Sequence, residues 1–301
     1  MTTRKKHNRL RQYLPHYIMV SPFYLIFFVF LFIPMVAALV LSFTSFNMLQ
    51  APLFVGLDNY VRLFLGDEVF LNDLKNTLFL AVITGPVGYI LSFLVAWLIN
   101  EMGRGLRTLL TAVMYAPTLC GSMYYIWIYL FSNDRSGFIN AQLIKMGLIQ
   151  SPIQWLSDPQ YSMTVVVIVT IWMSFGVGFL SFVAGLKSLD HTYYEAAALD
   201  GLRNRWQELY YVTFPQMGPQ LLFGAVMSIS GAFSVGEVNK ALTGFPSTDY
   251  ATDTIALHMA DYGTTRFEMG YASAVAVVLF AMTVLAWVIV NKALRRFNET
   301  T

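Results

Sequence analysis

The sequence predicts an all-α integral membrane protein with six transmembrane helices. Of its 301 residues, 56% are hydrophobic and only 12% are charged, about half the charged share of a soluble domain. Six stretches without Asp, Glu, Lys or Arg are long enough to cross a bilayer as helices, which takes about 20 residues each. A membrane barrel would instead need short segments of alternating polarity. The six stretches are 12–57, 76–100, 108–133, 159–186, 209–236 and 269–291.

The first two stretches contain prolines and are joined by a short helical segment. Stretch 12–57 is long enough for one span and a lead-out beyond it, and Pro34 lies inside the span. Gly85 and Pro86 lie inside 76–100, and helices in membranes tolerate both residue types. Apolar residues recur at helical spacing within 55–64, which predicts a short amphipathic helix lying on the membrane.

The distribution of Lys and Arg predicts which span ends face the cytoplasm. If the N-terminus is inside, thirteen of the nineteen basic residues fall in cytoplasmic segments, as the positive-inside rule requires. We therefore expect a cytoplasmic tail at 1–15, a transmembrane domain at 16–291 and a second cytoplasmic tail at 292–301. The six basic residues left outside are Arg62, Lys75, Arg135, Lys145, Lys240 and Arg266.

The sequence contains none of the common catalytic or nucleotide-binding motifs. It has no Gly-x-x-x-x-Gly-Lys-Ser/Thr loop for phosphates, no Gly-x-Ser-x-Gly, no His-Glu-x-x-His and no Cys-x-x-Cys. Its single cysteine, Cys120, lies in an apolar run, and its four histidines are scattered without metal-ligand spacing. We therefore expect no catalytic residue, no cofactor or metal site on this chain, and no nucleic-acid partner.

A polar segment at 187–215 connects the apolar stretches of the fourth and fifth spans. It holds seven charged residues, whereas the stretches on either side hold none. Thr192 and Glu195 have the spacing of a capping box, which predicts a short helix that starts at Thr192 and continues through three alanines. Gly201 permits the left-handed backbone that ends such a helix.

A second short helix is predicted after this turn. Asn204 with Gln207 can cap its start, and the helix should run through Tyr211. Pro215 is expected to close the segment before the next apolar run. The segment therefore predicts two short helices around a hinge at one end of the spans.

The order of residues in 187–215 resembles the EAA loop of binding-protein-dependent ABC importer permeases, in particular the carbohydrate-uptake class that includes maltose and glycerol-phosphate permeases. Weaker similarities to the same family occur along most of the chain: GLDNY at 56–60, NTL at 76–78, GFIN at 137–140 and MGYASA at 269–274. The loop residues that carry the resemblance are Glu195, Ala196, Ala197, Asp200, Gly201, Val212, Phe214 and Pro215.

This resemblance implies a type I ABC importer permease fold in a bacterial inner membrane, surrounded by lipid and with both termini cytoplasmic. It implies half of a pathway for a mono- or oligosaccharide, paired with a second six-helix permease and served by an extracellular solute-binding protein. ATP and Mg would be held by two partner ATPase subunits, and the helix pair would couple to them. The residues to which it assigns ATPase coupling are Glu195, Ala196, Ala197, Asp200, Gly201, Arg203, Trp206 and Pro215.

Aromatic and hydroxyl side chains in the fourth and fifth spans are candidates for the sugar pathway. Aromatic rings suit the apolar faces of sugars and hydroxyls suit their edges, although small and aromatic residues also serve helix packing in membranes. The main candidates are Trp172, Phe175, Ser230, Phe233 and Ser234. Further candidates are Ser174, Gly176, Gly178 and Ser228.

Two alternatives to a sugar-importing ABC permease stay open. A secondary transporter would usually be longer, show repeated halves and keep ionisable residues at membrane depth, and the six stretches keep none. The other alternative keeps the ABC class but changes the cargo to a non-sugar solute, such as a phosphate ester or a peptide.

Overall fold

The first residues that the structure describes form a continuous helical path. In the computed structural model, which describes the backbone of residues 4–300 and the side chains of residues 13–294, helix α1 (Arg4–Phe27) passes through a π turn (Phe28–Phe32) into α2 (Ile33–Leu41). Pro34 stands in the first turn of α2, directly after the wider π turn, where its missing N–H is tolerated. The apolar segment Tyr13–Leu41 is long enough to span a membrane.

A small hairpin and a short helix follow the first span. Strands β1 (Thr44–Ser45) and β2 (Leu53–Phe54) pair antiparallel, and α3 (Asp58–Val61) continues into a π turn (Arg62–Gly66). The short helix predicted within 55–64 is therefore present. The buried amide of Asn59 donates to the carbonyls of Ser42 at 2.8 Å and Thr44 at 2.9 Å, which fixes the hairpin against this helix.

The longest helix wholly within the described side chains is α4 (Glu68–Asn100), which corresponds to the second predicted span. Asp67 caps it, because its Oδ1 accepts the N–H of Phe70 at 2.9 Å.

The third predicted span, 108–133, is not one helix. It is divided into α5 (Arg104–Leu119) and α6 (Tyr125–Leu130), with a turn at 120–124 between them. Pro117 removes a backbone donor near the end of α5, and Gly121 in the turn is a poor helix former. Helix α7 (Phe138–Lys145) follows in the next loop.

The remaining helices carry the other three predicted spans and the loops between them. In order they are α8 (Pro159–Trp172), α9 (Val177–Ser188), α10 (His191–Leu199), α11 (Arg205–Glu208), α12 (Phe214–Gln216), α13 (Gly218–Phe233), α14 (Glu237–Thr243), α15 (Ile255–Ala260) and α16 (Met269–Thr300). Single turns of other helix types lie at Leu209–Thr213, Thr248–Tyr250 and Asp261–Thr265.

Five of the six predicted spans have a counterpart of membrane-crossing length in the described part of the chain. Four are the segments Tyr13–Leu41, Glu68–Asn100, Pro159–Ser188 and Met269–Leu294. The fifth is α13 together with α14, which are bent by 42° at a short break. The third span differs because of the turn at 120–124.

The centre of the molecule is formed by α4, α9 and α13, which pack against one another. Their contacts are aromatic, and Phe93, Phe179 and Phe182 are almost completely buried. Helices gain little from hydrophobic burial inside a bilayer, so this association rests on close van der Waals packing. Helix α16 packs beside them, against α2, α13 and α15.

Candidate functional site

A cavity of about 430 Å³ lies among the central helices. Its walls come from α4, from α9 and α13, and from the residues where α8 and α13 end. The rings of Phe179 and Phe182 form part of the wall. The hydroxyl-bearing side chains in the lining are Thr84, Tyr89, Ser92, Thr118, Thr170, Ser174, Ser228 and Ser234.

One wall of the cavity is a break in the fourth span at 173–176, between α8 and α9. A break of this kind frees backbone carbonyls that water cannot reach within a bilayer, so neighbouring groups must bond them. Thr118 Oγ1 donates to the carbonyl of Phe175 at 3.0 Å, and Ser92 Oγ donates to the carbonyl of Ser174 at 3.3 Å. Hydroxyls from two neighbouring helices therefore hold the broken backbone in place.

A second break, at 234–236 in the fifth span, lies on the same cavity. Val235 and Gly236 line it, and Thr254 Oγ1 donates to the carbonyl of Val235 at 2.8 Å. Deeper in α13, Ser228 Oγ donates to the carbonyl of Gly85 at 2.8 Å, directly before Pro86. The breaks of the fourth and fifth spans thus meet at this cavity, beside the unbroken helix α4, and such breaks are common at ligand sites within membranes.

Gly224 sets how closely α13 approaches α9 beside the cavity. A β-carbon at this position would lie 2.2 Å from the ring of Phe182, which real side chains do not tolerate. Only glycine fits there, and it lets the Phe182 ring lie against the backbone of α13.

The sequence-predicted pathway residues divide into two groups. Ser234 lines the cavity, as do the further candidates Ser174, Gly176, Gly178 and Ser228. Phe175 and Phe233 belong to buried cores instead, the former packed edge-on against Phe179. The ring of Trp172 lies 5.4 Å from that of Trp127, and Ser230 is exposed on α13.

The 187–215 segment begins with a helix cap that differs from the predicted one. Asp190, not Thr192, caps α10, because its Oδ1 accepts the N–H of Thr192 at 2.9 Å. This hydrogen bond lowers the pKa of the Asp190 carboxyl. The capping box between Thr192 and Glu195 is therefore wrong, since aspartate is the stronger cap and stands two residues earlier. The side chain of Glu195 is exposed.

Gly201 terminates helix α10, as predicted. Gly201 has a φ of +94°, its N–H donates to the carbonyl of Ala198 at 3.2 Å, and the N–H of Leu202 donates to that of Ala197 at 3.0 Å. These paired hydrogen bonds are the Schellman motif, which needs a left-handed residue at the Gly201 position. A β-carbon on Gly201 would meet no atom within 4 Å, so space is not what selects glycine here.

Helix α11 is capped as the sequence indicates. Asn204 Oδ1 accepts the N–H of Trp206 at 3.1 Å, and Gln207 Oε1 accepts the N–H of Arg203 at 3.3 Å. Helical turns then continue through the π turn (Leu209–Thr213) and α12 almost directly into α13. Pro215 therefore does not close the segment, because it lies in the first turn of α12, where a proline is accommodated.

One contact holds the parts of the loop together, and two others fasten it to the end of α4. The hydroxyl of Tyr194 on α10 shares a hydrogen bond of 2.8 Å with Thr213 Oγ1, and partial burial raises the pKa of Tyr194. Arg205 pairs with Glu101, just beyond the end of α4, at 2.9 Å. The ring of Trp206 lies 5.3 Å from that of Trp97 on α4. The two short helices therefore form one body with the end of α4.

Of the other residues assigned to coupling, Ala197 is on the buried face of α10. Ala196, Asp200 and Arg203 are exposed. The loop also exposes large apolar side chains, namely Tyr193, Leu199, Trp206, Tyr210 and Tyr211.

Residues 88–298, more than half of the chain, match the family described as "binding-protein-dependent transport system inner membrane component". The chain belongs to this family. It is accordingly an integral inner-membrane protein, and its family role is that of a permease, a membrane subunit that is not itself an enzyme.

Related permeases match over nearly the whole chain. The probable ABC transporter permease protein YesP of Bacillus subtilis is 33% identical over 96% of this chain and 93% of its own length. The lactose transport system permease protein LacF of Rhizobium radiobacter is 28% identical over 88% and 89%.

A solved structure shares the fold of this permease. A chain in the crystal structure of a bacterial ABC transporter involved in the import of the acidic polysaccharide alginate superposes with a TM-score of 0.79. The match covers 97% of this chain and 99% of that one, at 23% identity. The ABC importer permease fold predicted from the sequence is therefore confirmed.

The permease also contains a buried polar group that sequence reasoning missed, at the opposite ends of the spans from the 187–215 loop. His258 on α15 lies between two carboxylates of α4 and its cap: Nδ1 is 2.9 Å from Asp73 Oδ2, and Nε2 is 3.3 Å from Asp67 Oδ2. His258 and Asp73 stand 185 positions apart, so no local pattern could have paired them. Among the described residues, no group of three or more His, Cys, Asp or Glu has the arrangement of a metal site.

Proposed function

We propose that this chain is one of two permease subunits of an ATP-driven importer of a neutral mono- or oligosaccharide. The observation that carries the proposal is the central cavity of about 430 Å³, where aromatic rings and hydroxyls lie beside the breaks of the fourth and fifth spans. Rings suit the apolar faces of a sugar, and hydroxyls suit its polar edges. The cavity would form half of the translocation pathway.

The charge of the lining favours a neutral cargo. Among the described lining residues, Glu237 is the one charged side chain, and none is Lys, Arg or His. Relatives named for lactose and arabinooligosaccharide transport support a sugar. The sn-glycerol-3-phosphate permease protein UgpA of Agrobacterium fabrum is also related, at 29% identity over 77% of both chains. A phosphate ester is the second candidate, but a phosphate is usually bound by cationic groups, which this lining lacks.

The 187–215 loop would dock on a partner ATPase, which would hold the ATP and Mg. Exposed apolar side chains on a loop outside the membrane indicate a protein contact, and this loop carries five of them. Driving a two-state permease from 1:99 to 99:1 takes about 5.5 kcal/mol of differential binding. A capped helix pair that is packed on α4 can transmit such a bias as a rigid body.

The basic residues support an orientation with both termini and this loop in the cytoplasm. The opposite face would then meet an extracellular solute-binding protein, as the alginate transporter does with its periplasmic protein.

Cysteines introduced as Ser188→Cys and Thr248→Cys in a Cys120→Ser background test this topology. Thr248→Cys should react with an impermeant thiol reagent in intact cells, and Ser188→Cys only after permeabilisation. Reaction of both in intact cells would refute the orientation.

The function is tested by reconstituting the permease with its partner permease, ATPase and binding protein in proteoliposomes. We expect ATP-dependent uptake of a labelled sugar, with lactose and arabinooligosaccharides as first probes and glycerol 3-phosphate as the anionic comparison. Uptake of glycerol 3-phosphate but of no sugar would favour the second candidate. Uptake driven by an ion gradient without ATP would instead indicate a secondary transporter.

A further inference from the structure

His258 lies in a buried polar contact between α15 and the start of α4. Its side chain is 4% exposed, that of Asp73 is 1% exposed and that of Asp67 is 9% exposed. The rings of Phe70, Tyr262 and Tyr271 surround the imidazole. Buried charges are stable only when they are paired with opposite charges. The number of protons shared by His258, Asp73 and Asp67 therefore determines whether these side chains attract or repel one another.

Both contacts of the His258 imidazole with the carboxylates depend on protons. Burial raises the pKa of Asp67, but hydrogen bonds from the Tyr271 hydroxyl and the Phe70 N–H, with nearby positive charge, hold that pKa below its usual range. Asp67 is therefore an anion at neutral pH. Nε2 of His258 lies 3.3 Å from its Oδ2 without a hydrogen bond, and a proton on Nε2 makes this contact attractive. A second proton lies between Nδ1 and Asp73 Oδ2, whichever of the two atoms holds it.

The other ionisable groups around His258 do not replace this proton. Asp253 precedes α15, and both of its carboxylate oxygens accept the N–H of Ser247. The remaining groups lie at the edge: Tyr262 and Tyr271, with Arg62 over the ring of Tyr271 and paired to Glu268, and Arg266 over the ring of Tyr262 and paired to Asp261. The side chain that faces both Asp67 and Asp73 is the imidazole of His258.

Helix α15 connects this group to the cavity. Directly before it, Thr254 Oγ1 bonds the carbonyl of Val235 in the break of the fifth span, at 2.8 Å. The N–H of Ile255 donates to Thr77 Oγ1 of α4 at 3.0 Å. Ala256 and Leu257 lie against Gly236, where a β-carbon would be 3.5 Å from each. The cavity wall at 235–236 is thus held against α4 through α15.

We propose that His258 is a positioning residue that holds the cavity wall at 235–236 closed against α4, and that it does so only while His258, Asp73 and Asp67 share two protons. When one proton leaves, a nitrogen lone pair faces a carboxylate oxygen at 2.9 or 3.3 Å, and the attraction becomes repulsion. This inference rests on the proposed orientation, which makes the group respond to the pH outside the cell. A rise in external pH then loosens α15 and opens the cavity toward the binding protein.

The test measures opening of the cavity without using a sugar. Ser234→Cys in a Cys120→Ser background places a thiol on the cavity wall, and Leu148→Cys places a control thiol on an exposed loop of the same face. The labelling rate of Ser234→Cys, divided by that of Leu148→Cys, is measured in right-side-out vesicles from about pH 5 to 8, where histidines change charge. The ratio removes the pH dependence of thiol chemistry.

We expect this ratio to rise at least about fivefold across the range, a difference of about 1 kcal/mol at 1.4 kcal/mol per tenfold. In His258→Gln, which cannot be charged, the ratio should not change with pH. Asp67→Asn removes the anion that Nε2 faces and should also make the labelling ratio independent of pH. This second variant tests the proposal if His258→Gln fails to fold. A flat wild-type ratio, or an unchanged rise in both variants, would overturn the proposal. Because no sugar is used, failure of the sugar assignment leaves this result unaffected.

Discussion

The 187–215 loop and the His258 end of the permease are both polar, yet the hydrogen bonds that shape their backbones differ in range. In the loop, the caps join residues two positions apart, Asp190 to Thr192 and Asn204 to Trp206. At the other end, hydrogen bonds join α4 to residues 174–185 positions away, such as Asn76 to Tyr250 and Asp73 to His258. Local contacts leave a surface free for a partner, whereas long-range contacts fix one helix against another.

The largest expected effect comes from the loop, in Gly201→Asp. A left-handed backbone costs a residue with a β-carbon about 1 kcal/mol or more, so the turn between α10 and α11 should be displaced. We expect the permease to insert normally but to lose ATPase co-purification and sugar uptake. Gly147→Asp is the matched control, because Gly147 also has a positive φ and open space around it but lies in another loop. Wild-type docking and uptake in Gly201→Asp would show that this loop is not the coupling element.

The next effect is on stability, in Asn140→Ala. Asn140 is fully buried and its amide joins the carbonyl of Ser132, both backbone groups of Ile153 and the indole of Trp155. Leaving such groups unpaired costs about 1–3 kcal/mol each, so the unfolding temperature of the purified permease should fall clearly. Asn72→Ala removes one exposed hydrogen bond, to Tyr250, and should change the unfolding temperature little. Equal effects of the two changes would contradict the contrast between buried and exposed contacts.

A smaller effect is expected for Glu195→Gln, which separates charge from capping. Because Asp190 caps α10, Glu195 is free to contact a partner, and we expect uptake to fall about tenfold, or about 1.4 kcal/mol, if it faces a cation on the ATPase. Asp190→Asn removes a charge from the same helix but keeps a good cap, so its uptake should match wild type. If Glu195→Gln also transports at the wild-type rate, its charge has no role in docking.

The smallest effect is expected for Arg205→Gln. Hydrogen bonding to Glu208 and the charge of Glu101 raise the pKa of Arg205, but its side chain is 62% exposed. Exposed ion pairs contribute about 0–1 kcal/mol, so the unfolding temperature should change by little and less still at high salt. A large, salt-independent loss would mean that this pair, rather than the ring contact between Trp206 and Trp97, fastens the loop to α4.

Much of the fold could be predicted because membrane spans and turns have local causes. Uncharged stretches of sufficient length predicted the spans, and Gly201 and Asn204 predicted the turn and the second cap of the loop. The wrong cap at Thr192 arose because two good capping residues stand close together, and the pattern alone did not rank them. The division of the third span at 120–124 was missed because its residues are uncharged, although Pro117 and Gly121 favour a break.

The candidate site was less predictable, since its geometry depends on which helices meet. Ser234 could be chosen as a hydroxyl in a span, but only the bend between α13 and α14 places it on the cavity. Phe175 and Phe233 satisfy the same sequence criterion and pack into cores instead. His258 gave no signal at all, because its partners are on α4 and become neighbours only after the helices assemble.

Helix α4 reaches from one of these two regions to the other. With 33 residues at about 1.5 Å each, it is about 50 Å long, carries Asp73 near its start and Trp97 near its end, and borders the cavity between them. A tilt of about 10° around its midpoint would move each end by about 4 Å, and in opposite directions. If the loop end of α4 moves toward the molecular axis, the Asp73 end therefore moves away from that axis. Helix α4 thus has the geometry of a lever that pivots near the cavity.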